Sequence, residues 1–243
     1  MEQKSNEQIV LECYRKIIRD LDLSLVDSYV QEDYIQHSPT VKDGREGLLE
    51  MLAFLKTLPK PTEQGSSPII RVIADGDLVA THLDIKFMGQ RVAVIDLFRL
   101  QDGKIAEHWD VGKTLTEDEN ASVTMTNGTT IIDGTADTGR NKSFITGFYQ
   151  EVFGNGKAAG NYLAADYVEH NPANSLLSNA GHIVKVHRLI GEGDFVVAHC
   201  ECIMSGKSFS QMHIFRIEAD KIAEHWSVEQ EVPEVMAHGN GMF

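Results

Sequence analysis

One stretch of this chain is written twice. Residues 96–111 read DLFRLQDGKIAEHWDV, and residues 213–228 read HIFRIEADKIAEHWSV. The register holds without a gap back to Asp77 and Asp194. A segment repeated at this length makes the chain two copies of one plan, and its period says what is repeated. Apolar residues alternate on both sides of Asp102-Gly103, and an Asp-Gly pair between alternating runs marks a tight hairpin, because both central residues need positive φ. With a two-residue turn, Asp96, Phe98 and Leu100 share a face with Ile105, Glu107 and Trp109. A carboxylate beside a Trp on a mostly apolar face is the unusual feature.

The remaining segments fall into place around the repeat. From Asn6 to about Asp20 the apolar residues recur at helical spacing, Leu21–Val30 continues as a shorter helix, and Gly44–Leu58 is a third, ended by Pro59 and Pro61. The run Asp33-Tyr34-Ile35-Gln36-His37-Ser38-Pro39 lies between the second and third. Strands follow over 69–74, 78–87, 92–100 and 104–111, an antiparallel meander behind helices and so an α+β order. Residues 112–141 are rich in Thr, Asn, Asp and Gly, with room for one short strand at Ile131-Ile132 and length enough to let the halves pair freely. The second half reopens with a helix over 142–153 and repeats the earlier run as Tyr167-Val168-Glu169-His170-Asn171-Pro172. It lacks the third helix. The expected domains are 1–115, complete, a linker over 116–140, and 141–243, shortened.

Charge and cysteine content bound the partners. A formal charge of −14 argues against a nucleic acid partner. The polar start Met1–Asn6 runs straight into a helical pattern, so neither a secretory signal nor a membrane association is expected. Cys13, Cys200 and Cys202 have no framework spacing and read as reduced thiols in a cytoplasmic protein.

The Tyr-x-x-His-x-Pro run, a histidine 14 residues before the hairpin's acid, the Asp-Gly turn and the Glu-His-Trp-Asp ending together resemble the SnoaL-like polyketide cyclases of the nuclear transport factor 2-like superfamily. The closing Gly239-Asn240-Gly241-Met242-Phe243 resembles the tail of bacterial SnoaL-like aldol condensation enzymes. The resemblance implies two tandem cystatin-like cones, each a curved antiparallel sheet around its N-terminal helices, paired as a covalent pseudo-dimer. It also implies cofactor-free acid/base chemistry on a small apolar ligand held in a deep pocket. Whether the fused chain forms a further homodimer stays open.

Site residues are carried over on the same footing. Asp96 matches the family's acid/base carboxylate and His82 its neighbouring histidine. If the loop Met88-Gly89-Gln90 has three residues, His82 faces Asp96 across the strands. The working pair is then Asp96 and His82, in a pocket with Tyr34, His37, Asp84, Phe98 and Trp109. A desolvated carboxylate can take a proton from carbon and return one to the alkoxide of an aldol closure.

The second-half counterparts are Tyr167, His170, His199, Glu201, His213 and Trp226. Because His213 stands where Asp96 does, and Ser227 where Asp110 does, that half is expected to be a degenerate structural partner. A weaker alternative has His199, Glu201 and His213 on one face holding zinc; the main reading assigns no metal. His108 and His225 are expected to face away from Asp96, into the contact between sheets. The competing functional class is a non-catalytic module that binds a small hydrophobic ligand or serves assembly. A cavity reaching Asp96 favours the enzyme, and one filled by Met51, Phe54 or Phe87 favours the module.

Overall fold

The computed structural model describes residues 4–59, 67–116, 121–176 and 183–243. Pro61 lies outside the described residues. The first unit opens with helix α1 (Asn6–Cys13), started by a capping box in which Ser5 and Gln8 satisfy each other's backbone N–H. A wider π-helical turn, Tyr14–Arg19, continues it. A short helix α2 (Val26–Tyr29) leads into strand β1 (Val30–Gln36), and helix α3 (Gly44–Leu55) follows. The meander is β2 (Ile69–Asp75), β3 (Leu78–Phe87), β4 (Gln90–Gln101) and β5 (Lys104–Thr114). Strand β1, which the sequence did not announce, pairs parallel with β5, giving the order β1-β5-β4-β3-β2.

The second unit repeats this with α4 (Thr138–Phe148), a π-helical turn at Tyr149–Gly154, and β6 (Leu163–Glu169). Strands β7 (Ile183–Glu192), β8 (Phe195–Met204), β9 (Lys207–Glu218) and β10 (Lys221–Glu231) complete a sheet of order β6-β10-β9-β8-β7. Where α3 stands in the first unit, the described residues of the second hold a single turn, Pro172–Asn174. The architecture is therefore two tandem units of equivalent strand order, each a five-stranded sheet with helices, α+β in class. No helix among the described residues is long and apolar enough to cross a membrane.

Each sheet has two faces with different work. Against one face of the first sheet, Ile9, Val10, Ile17, Leu48 and Leu52 from the helices pack on Val79, Phe98, Leu100 and Ile105. Ile145, Phe148 and Val152 do the same on Phe215 and Ile217 in the second. The opposite faces meet each other. Ile95, Leu97, Trp109 and Val111 join Val197, Met212, Ile214 and Trp226 in one buried cluster. This seam is the pseudo-dimer contact, and burial of apolar surface on both sides stabilises it.

The connecting segment is pinned, not free. Asn127 O accepts from Arg71 Nη2 at 2.6 Å and from Trp226 Nε1 at 2.7 Å, tying both units to one carbonyl. Gly128, at φ +95°, passes so close to His170 and Glu224 that a Cβ would lie 2.6 Å from the Glu224 carboxylate. No strand forms among the described residues of the segment; Ile132 packs against the seam and Ile131 is exposed.

Candidate functional site

Two local details of the strands decide which side chains gather under the helices. Met88 and Gly89 form a two-residue turn, with φ +49° and +81°, so Phe87 pairs with Gln90. Thr81 is then opposite Asp96, and His82 opposite Ile95. One residue of register reverses every side chain. His82 consequently points into the seam, and the expected His82–Asp96 pair does not form. In the next hairpin Asp102 and Gly103 both adopt positive φ, as the repeat implies. A bulge follows: Arg99 pairs with Glu107 but Leu100 with Ile105, leaving Ala106 extra. Beyond it the parity is inverted, so Trp109 turns to the seam while His108 and Asp110 join Asp96 and Phe98 on the helix side.

The group assembled there is polar, buried and closely bonded. His108 Nε2 lies 3.0 Å from Asp96 Oδ1. The other carboxylate oxygen accepts from the Tyr14 hydroxyl and from Thr81 Oγ1 at 3.3 Å. His108 Nδ1 lies 3.2 Å from Gln36 Oε1, an atom that also accepts from the backbone N–H groups of His37 and Ser38. Gln36 Nε2 in turn donates to the Tyr34 hydroxyl at 3.0 Å. Phe98 stacks on His108 at 4.7 Å and meets Tyr14 edge-on at 5.9 Å.

This bonding fixes the protons. Gln36 Oε1 is an acceptor, so His108 Nδ1 carries a hydrogen, and its other nitrogen faces a second acceptor, Asp96. Asp96 Oδ1 and His108 Nε2 thus face each other at hydrogen-bond distance. Burial disfavours the imidazolium, but the hydrogen bond and charge of Asp96, helped by Asp110, outweigh it and raise the His108 pKa above the ordinary value. Burial also raises the Asp110 carboxyl, against the pull of His108, and its Oδ1 has no partner among the described residues. Burial and the nearby Asp96 keep Tyr14 a neutral donor.

The equivalent positions in the second unit carry the same chain of contacts with its charge moved. Glu169 replaces Gln36, and its Oε1 accepts from His225 Nδ1 at 2.9 Å. His225 Nε2 lies 2.9 Å from Nδ1 of His213, the residue standing where Asp96 does. Burial would raise the Glu169 carboxyl, but His225, Tyr167 and the Asn171 N–H bring it down to about 2. Burial and His225 push His213 down to about 3. Tyr149, which like Tyr14 opens a π-helical turn, has a buried hydroxyl beside the Cys200 thiol.

Of the residues expected in a pocket, Asp96, Tyr34 and Phe98 lie on the helix side of the first unit, as Tyr167 and His213 do in the second. His82, His37, Asp84 and Trp109 do not join them. His37 stacks on Trp109 at 4.8 Å, and Arg188 of the other unit lies 3.7 Å from that indole. The mirror arrangement has His170 stacked on Trp226 at 4.5 Å and Arg71 at 4.1 Å. Arg71 donates to His82 Nδ1 at 3.0 Å, and Asp84 binds Arg91 and Thr126.

His199 faces the seam too, opposite Met212, whereas His213 pairs with Ala198 and faces inward. The zinc arrangement of His199, Glu201 and His213 on one face is therefore not formed; Glu201 binds His187 at 3.2 Å instead. Tyr14, Gln36, Thr81, His108 and Asp110 were not foreseen as site residues. The recurrence of a Tyr at the end of the first helix in both halves was the available signal for Tyr14.

Residues 11–108 match the family model of the SnoaL-like domain. The second unit repeats the strand order of the first. Among solved structures the chain is similar to IdmH from Streptomyces antibioticus, a candidate polyketide cyclase, with 22% identity over 45% of this chain and 93% of that one, and a TM-score of 0.38. It is likewise similar to TsrD from Streptomyces laurentii, with 21% identity, 46% and 92% coverage, and a TM-score of 0.36. An NTF2-like protein from Cytophaga hutchinsonii has 17% identity, 46% and 93% coverage, and a TM-score of 0.38. No curated protein matches the chain.

Proposed function

We propose that the amino-terminal unit is a cofactor-independent acid/base catalyst of SnoaL-like type, acting on a small apolar carbonyl compound by aldol-type cyclisation or isomerisation. The observation that carries this reading is the contact of Asp96 Oδ1 with His108 Nε2, 3.0 Å apart beneath an apolar helix layer. In the proposed step the Asp96 carboxylate takes a proton from the carbon beside a carbonyl. The neutral Tyr14 hydroxyl donates a hydrogen bond to the enolate oxygen, His108 holds the carboxylate through Nε2–H, and Asp96 itself returns the proton to the product. Asp96 keeps the acid/base role expected of it; His108 replaces His82 as its partner.

A second reading, a non-catalytic module for a hydrophobic ligand or for assembly, has its own support. Every oxygen of Asp96 is committed to Tyr14, Thr81 or His108. The cleft described on the surface, about 410 Å³ and lined by Lys4, Asn6, Ile9, Ser28, Tyr29 and Gly103, is elsewhere. Phe54 and Phe87 are exposed and fill no cavity, and Met51 packs on the edge of the helix-side core.

Turnover of small β-dicarbonyl compounds separates the two readings. Asp96→Asn is expected to lower the rate by about 10²–10⁴-fold, and His82→Asn to leave it near wild type. Equal turnover in wild type and Asp96→Asn removes the catalytic reading and leaves the module.

A further inference from the structure

The seven residues that close the chain lie on the loop that feeds the first unit's site. Ala237 N donates to Pro39 O at 2.8 Å, and His238 Nε2 to Ser38 O at 2.9 Å. Asn240 Nδ2 donates to Gln36 O at 3.0 Å, and His37 Nδ1 donates to Gly241 O at 2.9 Å. Four consecutive residues, Gln36 to Pro39, are thus each bonded to a segment that belongs to the other unit. The far end of that segment is anchored on the second unit, where Phe243 stacks on His187 at 4.6 Å and Met242 is buried.

The same exchange occurs in the opposite direction. His170, the counterpart of His37, donates from Nδ1 to Thr124 O at 2.9 Å, and Met125 beside it is buried like Met242. Thr124 and Gly241 stand at the same spacing from one another as Asp96 and His213. The repeat therefore continues past the last strand of each unit, and each unit's trailing segment crosses to the other's His-x-Pro loop.

We propose that the carboxy-terminal segment Ala237–Phe243 is a positioning element of the amino-terminal site, holding the Gln36–Pro39 loop so that Gln36 Oε1 keeps its hydrogen bond with His108. Gln36 takes the His108 Nδ1 hydrogen, and this leaves Nε2 directed at Asp96. Ser38 on the same loop donates to Asp110 at 3.3 Å. The catalytic consequence rests on the acid/base reading above; the positioning itself does not.

The test compares the full chain with a chain ending at Met236 and with Asn240→Ala, which removes one side-chain bond. The readout is proton exchange at the imidazole Nδ1–H of His108, with that of His225 measured in the same sample. In the shortened chain His108 exchange is expected to speed up about fivefold to tenfold, as for loss of one supporting hydrogen bond. Asn240→Ala shifts it the same way by less, and a peptide of residues 237–243 added to the shortened chain restores it. His225 stays unchanged, since its loop is held by Thr124. Equal acceleration at both histidines marks general loosening and overturns the proposal, as does unchanged His108 exchange in either variant. If the shortened chain does not fold, Asn240→Ala decides alone. Where turnover is measurable, kcat falls and KM holds. Faster His108 exchange in a chain whose full-length form turns nothing over refutes the acid/base reading and leaves the positioning intact.

Discussion

The two units hold the same buried relay with the charge at opposite ends. In the first, an amide (Gln36) faces the central His108 and a carboxylate (Asp96) lies beyond it. In the second, a carboxylate (Glu169) faces the central His225 and an imidazole (His213) lies beyond it. Each contains one acid and one central histidine, so neither buries an uncompensated charge. What differs is where the acid stands. Asp96 accepts from the Tyr14 and Thr81 hydroxyls. Glu169 is tied to His225, to the Tyr167 hydroxyl at 2.6 Å and to the backbone N–H groups of Asn171 and Leu176. Those donors hold the Glu169 carboxyl in its charged form, down at about 2.

The largest effects are expected where the units touch, and they test how equivalent the two sides of the seam are. Trp226→Ala and Trp109→Ala should each destabilise the protein by about 3–5 kcal/mol in chemical denaturation. Trp226→Ala should cost more, by about 1 kcal/mol, because its indole N–H donates to Asn127 whereas the buried Trp109 Nε1 has no partner among the described residues. Equal losses would mean that the connecting segment contributes nothing at the seam. Next in size is the contrast between the central histidines. His108→Ala should lower turnover by about 100-fold, and His225→Ala should leave it within about threefold with its stability reduced. A comparable loss of turnover from His225→Ala would make the second relay a working site.

Acid should separate the units, and the signs follow from where each pKa has moved. His213 is held at about 3 against an ordinary 6.5, so its contribution is complete above pH 6.5 and is lost as pH falls towards 3. Glu169, at about 2 against 4.5, loses its contribution between pH 4.5 and 2. At the seam, burial and Arg188 push His199 down to about 3, and burial and Arg71 push His82 down, so both act in the same direction as His213. His108 is opposite. Its pKa is raised, so its contribution is complete below pH 6.5 and is lost as pH rises through the raised value. Hydrogen exchange at pH 5 compared with pH 7 should therefore show β9 and β10 losing protection before β4 and β5. Loss in β4 and β5 first would contradict the assignment.

The duplication, the Asp-Gly hairpin and the four-stranded meander were legible because each leaves a side-chain pattern in the sequence. The faces of the strands were not. They turn on whether the connection at Met88-Gly89 has two residues or three and on one extra residue at Ala106, and either changes the parity of everything beyond it. That is why Asp96, Tyr34 and Phe98 lie on the helix side while His82 and Trp109 turn to the seam, and Thr81 and His108 stand in their place. The crossing of the trailing segments was hidden for another reason. His37 and His170 bind the carbonyls of Gly241 and Thr124, and a backbone acceptor leaves no residue preference to read.

The smallest expected effect lies in the repeated hairpin itself. In the first unit the two turn residues are Asp102 and Gly103, at φ +50° and +73°. In the second they are Ala219 and Asp220, at +46° and +59°, the same conformation with alanine at the first position where the first unit has aspartate. Alanine in the left-handed region brings its Cβ against the following carbonyl, whereas Asn or Asp offsets this by local hydrogen bonding. Ala219→Asn should then stabilise the second unit by about 0.5–1 kcal/mol, and Asp102→Ala should destabilise the first by a similar amount. Both positions are on exposed turns, so no packing change competes with the backbone effect. Opposite shifts in thermal midpoint confirm that the two hairpins share one turn geometry, and a neutral Ala219→Asn would show that the second has relaxed to a turn of another type.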